Sequence, residues 1–223
     1  MSDNHVILYS HGFAVDKHSR GLFTDIVASL PGTHHILIDY NTISETGRLI
    51  RVTPIDEEVA ILKQALAEAQ QTLPDDGSID VICHSQGCVI AALASGAGIR
   101  RMVLIAPPHE FDEGSVRRAF EGRRGVSINT KGDSIFARKD GVTAIVPAEY
   151  WPSLQNIHPG QLYAKLARET ELYIISALHD ELYGPQAAVT HTPGAREYTV
   201  DATHNFVHDG RQRLLHKLKV ILA

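Results

Sequence analysis

The chain has 223 residues, 43% of them hydrophobic and 21% charged, with a formal net charge of −5. That length suits one domain with a full core, the balance excludes a disordered chain, and the charge argues against nucleic acid or an anionic membrane as partner. No apolar run approaches the ~20 residues that span a bilayer, and Met1-Ser2-Asp3-Asn4-His5 lacks the basic start of a signal peptide, so a soluble, cytoplasmic protein is expected.

Val6 to Ser10 reads as an apolar strand that runs straight into His11-Gly12-Phe13. Glycine lets the backbone turn sharply there and frees the Phe13 amide to face a cleft. Leu22, Phe23, Ile26, Val27 and Leu30 recur at helical spacing and stop at Pro31-Gly32. His35 to Tyr40 is the second predicted strand, and Asn41 to Thr53 reads as polar and irregular. Pro54 opens a helix with Val59, Leu62, Leu66 and Ala69 on its apolar face and Glu57, Glu58, Lys63 and Glu68 on its polar one.

Ile79 to Cys83 is a short buried strand, broken by a tight turn at His84-Ser85-Gln86 and followed by a small-residue helix, Gly87 to Gly98. A serine at such a turn is lifted clear of the sheet, near the positive end of the next helix. The turn needs small residues two before and two after the serine, and these are Cys83 and Gly87. Taken alone, Ser85 also reads as a cap for the helix behind it. Cys83 and Cys88 flank the turn as small apolar fillers, since a disulfide across it is unlikely on geometry.

Met102 to Ala106 is a further buried strand. Strands that are continuous apolar runs alternating with helices imply a mostly parallel sheet covered on both faces. From His109 to about Thr170 the alternation lapses. A helix over Ser115 to Glu121, short strands at 126–129, 134–137 and 142–146, turns at Lys131-Gly132-Asp133 and Lys139-Asp140-Gly141, and a helix over Gln161 to Glu169 read as an insertion. So placed, it sits over the carboxyl ends of the strands, where open α/β sheets bind ligands. Its aromatic residues, Phe111, Phe120, Phe136, Tyr150, Trp151 and Tyr163, either line a substrate pocket or form the insertion's own core.

Leu172 to Ala177 resumes the sheet and leads into the loop Leu178 to Pro185, where Asp180 is the expected histidine-orienting acid and Glu181 its rival. The strand Glu197 to Val200 precedes His204, and a helix over Val207 to Leu222 closes the chain. His179 is the rival base, whereas His208 and His216 read as surface residues. Thirteen histidines are scattered without metal-ligand spacing, so neither a metal nor any cofactor is expected.

Ser85, Asp180 and His204 stand in the chain order of the α/β-hydrolase triad. His204 would take the serine proton, since imidazole titrates near neutral pH. Asp180 would fix its tautomer, and the amides of Phe13 and Gln86 would hold the oxyanion, at roughly 2.7–4 kcal/mol per donor. His11, Gly12, Tyr150 and Trp151 are expected to border the substrate.

From Val6 to the last helix the sequence resembles an α/β-hydrolase. His11-Gly12-Phe13 with Asp16-Lys17, the His84-Ser85-Gln86-Gly87 elbow and the compact 109–170 insertion are similar to small bacterial carboxylesterases of the feruloyl/cinnamoyl type. The resemblance implies a single hydrolase domain over 1–223 with 109–170 as a cap, and oxyanion amides on Phe13 and Gln86. Two departures stand out: Cys83 and Cys88 replace usual glycines, and the first antiparallel hairpin of the fold is missing, which leaves a sheet edge that a partner chain could cover. A small-molecule acyl ester is the expected substrate. Thioesterase, lactonase or acyl-peptide hydrolase activity on the same triad, and a non-catalytic small-molecule-binding protein on the same fold, are the alternatives; the oligomeric state is left open.

Overall fold

The computed structural model describes residues 4–95, 98–138, 140–184 and 191–222. Met1-Ser2-Asp3, residues 96–97 near the expected end of the elbow helix, Lys139 and Pro185 lie outside the described residues. The first elements are β1 (His5–Ser10), α1 (Leu22–Ser29), β2 (His34–Leu37), β3 (Thr42–Ile43), β4 (Leu49–Arg51) and α2 (Ile55–Thr72). They are followed by β5 (Ser78–His84), α3 (Gln86–Ala94), β6 (Ile99–Ile105), α4 (Glu113–Phe120), β7 (Val126–Ser127), β8 (Ser134–Ala137) and β9 (Thr143–Val146). The chain closes with α5 (Pro159–Glu169), β10 (Glu171–His179), β11 (Arg196–Thr203) and α6 (Asp209–Leu222). Among the described residues no helix is long and apolar enough to cross a membrane.

Six strands form one sheet in the order β11-β10-β6-β5-β1-β2, and every pairing in it is parallel. Side chains alternate across a strand, and here both sets are apolar. Val6, Leu8, Val81, Cys83 and Leu104 point to α2, α3 and α5, and Ile7, Tyr9, Ile82, Val103 and Ile105 to α1 and α6. Covered on both faces, the strands have no solvent side to mark with polar residues, which is why they read as unbroken apolar runs. Helix α3 is buried almost all round, so its small residues are what allow it to lie on the sheet centre.

A second sheet, β3-β4-β9-β8-β7, stands apart from the first. Its strands β7, β8 and β9 come from the predicted insertion, but β3 and β4 come from the Asn41–Thr53 stretch that reads as irregular. The signal there is short: Leu49 and Arg51 are exposed while Ile50 and Val52 are buried, and Ile50 and Val52 join Phe136, Ala144 and Val146 in a third core cluster. The parallel pairing of β4 with β9 ties the two segments together. Helix α4 begins at a capping box in which Asp112 Oδ1 accepts the Ser115 amide (2.7 Å) and Ser115 Oγ accepts the Asp112 amide (2.9 Å).

One assignment is corrected on α2. Glu58 is not on the solvent face but at 1% exposure beside the elbow, among the buried residues Ile55, Leu62, Leu66 and Ala69.

Candidate active site

Strand β5 delivers Ser85 at the N-terminus of α3. Its backbone sits at φ 54°, ψ −128°, a region a non-glycine residue occupies only where its surroundings hold it there. Those surroundings are close. The Ser85 amide donates to Ile105 O (2.9 Å) and the Cys88 amide donates to Ser85 O (2.9 Å). A Cβ on Gly87 would lie 2.2 Å from Ser10 O and 2.5 Å from His11 O, both rigid backbone atoms, so only glycine fits. Two positions before the serine, Cys83 is buried with its thiol donating to Val103 O (3.3 Å), and Cys88 donates to Ile105 O (3.5 Å). Both are free and buried, and burial pushes the Cys83 thiol well up from its ordinary value.

Three side chains from distant parts of the chain meet in a line. Ser85 Oγ donates to His204 Nε2 (2.9 Å), and His204 Nδ1 donates to Asp180 Oδ2 (2.7 Å). The other carboxylate oxygen of Asp180 accepts the amides of Leu182 and Tyr183, each at 2.9 Å. Burial pushes this carboxyl up, but the His204 hydrogen bond, the imidazole's charge and the two amides outweigh it and hold it below the ordinary aspartate value. The register of β10 against β11 shifts between Ala177 and His179, and such irregularities re-aim the residues that follow them. Glu181, the rival acid, bonds the backbone instead of the ring: its Oε2 accepts the His204 amide (2.9 Å) and so fixes the loop. The rival base His179 is on the surface, paired with Asp201 at 3.2 Å.

Further contacts surround this line. His84 Nε2 donates to His204 O (2.9 Å), and burial, aided by the neighbouring imidazole, pushes His84 down to about 3, so it stays neutral. Tyr183 stands edge-on to the His204 ring at 5.2 Å, with its hydroxyl 3.5 Å from Ser85 Oγ. Sequence reasoning missed Tyr183, because a tyrosine in a loop has no periodicity to betray it.

The His11-Gly12-Phe13 turn lies against the elbow: a Cβ on Gly12 would come within 3.1 Å of Ser85 Cβ. Gly12, Phe13, Gln86 and Tyr150 line one cavity of about 1100 Å³ together with Ser85 and His204. His11 does not line it. It is buried, accepting the Tyr40 amide on Nε2 (3.2 Å) and donating from Nδ1 to Gly12 O (2.9 Å), which makes it a brace for the turn. Trp151 does not line the cavity either; it lies in the third core cluster at 1% exposure. Phe111, Phe120, Phe136 and Tyr150 serve in both capacities, as cluster members and as cavity wall, while Tyr163 belongs to the core under the main sheet.

Gln86 is the first residue of α3, so its amide has no acceptor within the helix. Its side chain is held at both ends. Nε2 donates to Glu58 Oε2 (2.8 Å), and Oε1 accepts the Tyr150 hydroxyl (2.7 Å). On the next residue, Gly87 O accepts from Ser10 Oγ (2.9 Å), which in turn accepts from Tyr40 (2.8 Å). Burial pushes Glu58 well above its ordinary value, only partly opposed by the Gln86 hydrogen bond. The folded protein therefore holds this proton more tightly than the unfolded chain. Stability is fullest below the ordinary glutamate pKa, about 4.3, and falls as pH rises towards the folded value. Glu58→Gln, neutral at every pH, is expected to raise the melting temperature at pH 7 and to show little gain near pH 4; a uniform loss at both would refute the upward shift of this carboxyl.

Among the described residues no group of three or more His, Cys, Asp and Glu side chains is placed to hold a metal ion. A parallel sheet with helices on both faces, a strained serine between strand and helix, and an acid and a histidine after the last two strands together define the α/β-hydrolase fold. No protein-family model matches the sequence, and no curated protein matches it. Solved structures do. Est1E from Butyrivibrio proteoclasticus, with ferulic acid bound, superposes at TM-score 0.74 and 17% identity over 97% of this chain and 87% of its own. The esterase domain of a Rhodothermus marinus protein gives TM-score 0.64 and 17% identity, covering 98% and 88%. The Pyrococcus furiosus esterase Pf2001 gives 0.65 and 15%, covering 99% and 81%. At these identities the likeness is one of fold.

Proposed function

We propose that this protein is a serine carboxylesterase that cleaves small or medium acyl esters through an acyl-enzyme on Ser85. The observation that carries the reading is the unbroken line from Ser85 Oγ through His204 to Asp180, with spacings of 2.9 and 2.7 Å, opening onto a large cavity. In the first half-reaction Oγ attacks the ester carbonyl while its proton passes to His204 Nε2. The imidazolium then protonates the departing alkoxide, leaving an acyl group on Oγ. In the second, His204 takes a proton from water, hydroxide equivalent adds to the acyl carbonyl, and Oγ leaves with the proton returned to it. Asp180 holds the Nδ1–H tautomer and offsets the positive charge that develops on the ring. The amides of Phe13 and Gln86 receive the negative charge on the carbonyl oxygen at each tetrahedral stage, and the Glu58 and Tyr150 hydrogen bonds keep Gln86 from shifting. The 109–170 segment acts as a cap whose aromatic wall holds the acyl or alcohol group.

A fluorophosphonate probe tests the activated serine directly. The expected result is one probe per chain by intact mass, mapped to Ser85, and none on a folded His204→Ala variant. A folded wild type that takes up no probe, or takes it up elsewhere, would overturn the reading in favour of a small-molecule-binding protein on the hydrolase fold.

A further inference from the structure

Among the described residues the cavity carries more basic than acidic side chains. Four described arginines line it, Arg20, Arg123, Arg124 and Arg138, against the acids Glu110, Asp140 and Glu181, in a chain whose net charge is −5. Each acid is already engaged. Glu110 pairs with Arg118 (2.7 Å), which does not line the cavity. Asp140 is bound to Arg138, and Glu181 accepts the His204 amide (2.9 Å). Among the described residues Arg20, Arg123 and Arg124 have no carboxylate partner. Arg123 instead lies over the Phe120 ring at 5.3 Å.

Of these arginines, Arg20 is the one whose charge acts on His84, the residue before Ser85. It shares the cavity wall with Ser85, His84 and His204, and its charge is one of those that hold His84 neutral. Arg20 is an exposed residue of the cavity wall; the packing around its guanidinium and next Arg138 push it down from its ordinary value, and Asp140 and Glu181 pull it back less strongly. Arg20 and Arg138 line the same cavity, and the acid whose charge acts with both, Asp140, is bound to Arg138. Arg138 is anchored to Ala14 O (3.2 Å) and Asp140, with Nε buried and unpartnered. The backbone is committed to this arrangement too. Ser19 (φ 49°) and Arg20 (φ 55°) are both left-handed ahead of Gly21 (φ 82°), and two successive non-glycine residues in that region persist only where tertiary contacts fix them. Ser19 is buried, and its amide is tied to Asp16 O (2.9 Å).

We propose that the substrate is an anionic ester: one whose acyl or alcohol portion carries a carboxylate or similar group, received by Arg20 with the other cavity arginines while the apolar part lies on Phe13, Phe111, Phe120 and Phe136. A guanidinium presents a planar fork that matches a carboxylate, and three of the four cavity arginines have that fork uncommitted to a carboxylate among the described residues. This assignment rests on the esterase reading above.

The experiment uses two matched pairs. 4-Nitrophenyl hemisuccinate against 4-nitrophenyl pentanoate places the anion on the acyl side, and 4-acetoxybenzoate against 4-acetoxybenzamide places it on the alcohol side, each rate divided by its rate in buffer. Wild type is expected to favour the anionic member of one pair by roughly ten- to a hundredfold in kcat/KM, the range of a hydrogen bond to a charged group. Arg20→Gln is expected to erase most of that preference, with Arg20→Lys between. In parallel, succinate or benzoate should slow fluorophosphonate labelling of wild type more than of Arg20→Gln. Neutral esters hydrolysed as well as anionic ones, with no change in the ratio on Arg20→Gln, would overturn the anionic substrate and leave the esterase standing. No turnover of any ester and no labelling of Ser85 would remove both.

Discussion

Ser85→Ala is expected to lower ester hydrolysis by about 10⁶ in kcat, the size of loss seen when a triad nucleophile is removed, without a matching loss of stability. The two halves of that expectation have separate sources. Activity falls because the hydroxyl is the only described group joined to His204 Nε2 (2.9 Å) in the wall of the cavity; water left in its place has no fixed line of attack and forms no acyl intermediate. Stability is kept because the elbow is held by backbone. The bonds Ser85 N to Ile105 O and Cys88 N to Ser85 O, at 2.9 Å each, survive the change, as do the close approach of Gly87 to Ser10 and His11 and the Ser10 and Glu58 contacts to α3. The strain at φ 54° is shared by alanine and is not relieved. Thermal melts and turnover on the same preparation check both parts. A folded Ser85→Ala protein with wild-type turnover would place the nucleophile elsewhere.

The sheet and the serine were legible because their signals are local. Buried parallel strands are apolar at every position, so β1, β5, β6 and β10 announce themselves, and the elbow needs only five residues in sequence. The rest of the site depends on contacts between distant segments. Asp180 and Glu181 are adjacent and alike in composition. Only the fold sends the first to the His204 ring and the second to its backbone amide. Glu58 has the look of a first-turn acid on an amphipathic helix, and its burial follows from the position of Gln86, 28 residues later. β3 and β4 failed as strands in sequence because each spans only two or three residues, too few to establish a period, and they are strands because β9 pairs with β4. His11 and Trp151 sit beside motif residues without facing the cavity, a reminder that adjacency in sequence fixes position but not side-chain direction. Arg20 carried no motif at all; its interest arises from left-handed backbone and from the charges of Arg138, Asp140 and Glu181, brought to it from distant parts of the chain.

Asp180→Asn is expected to cost about 10⁴ in kcat, as loss of the orienting charge does in a serine–histidine–aspartate site, and its origin is a proton in the wrong place. Asp180 offers only acceptors: Oδ2 to His204 Nδ1 (2.7 Å) and Oδ1 to the amides of Leu182 and Tyr183. The two amides are fixed donors, so an asparagine keeps its carbonyl oxygen towards them and turns its NH₂ to the ring. A donor facing Nδ1 requires that nitrogen to accept, which moves the imidazole proton to Nε2. There it meets Ser85 Oγ at 2.9 Å and donates where it should receive, leaving no base for the serine. Folding is expected to persist, because His204 remains held through its amide to Glu181 and its carbonyl to His84. Fluorophosphonate labelling should slow in step with turnover, since both need the serine deprotonated. If Asp180→Asn kept wild-type rates while Glu181→Gln lost them, the orienting acid would be Glu181, and the order of carboxylates around His204 would have to be reversed.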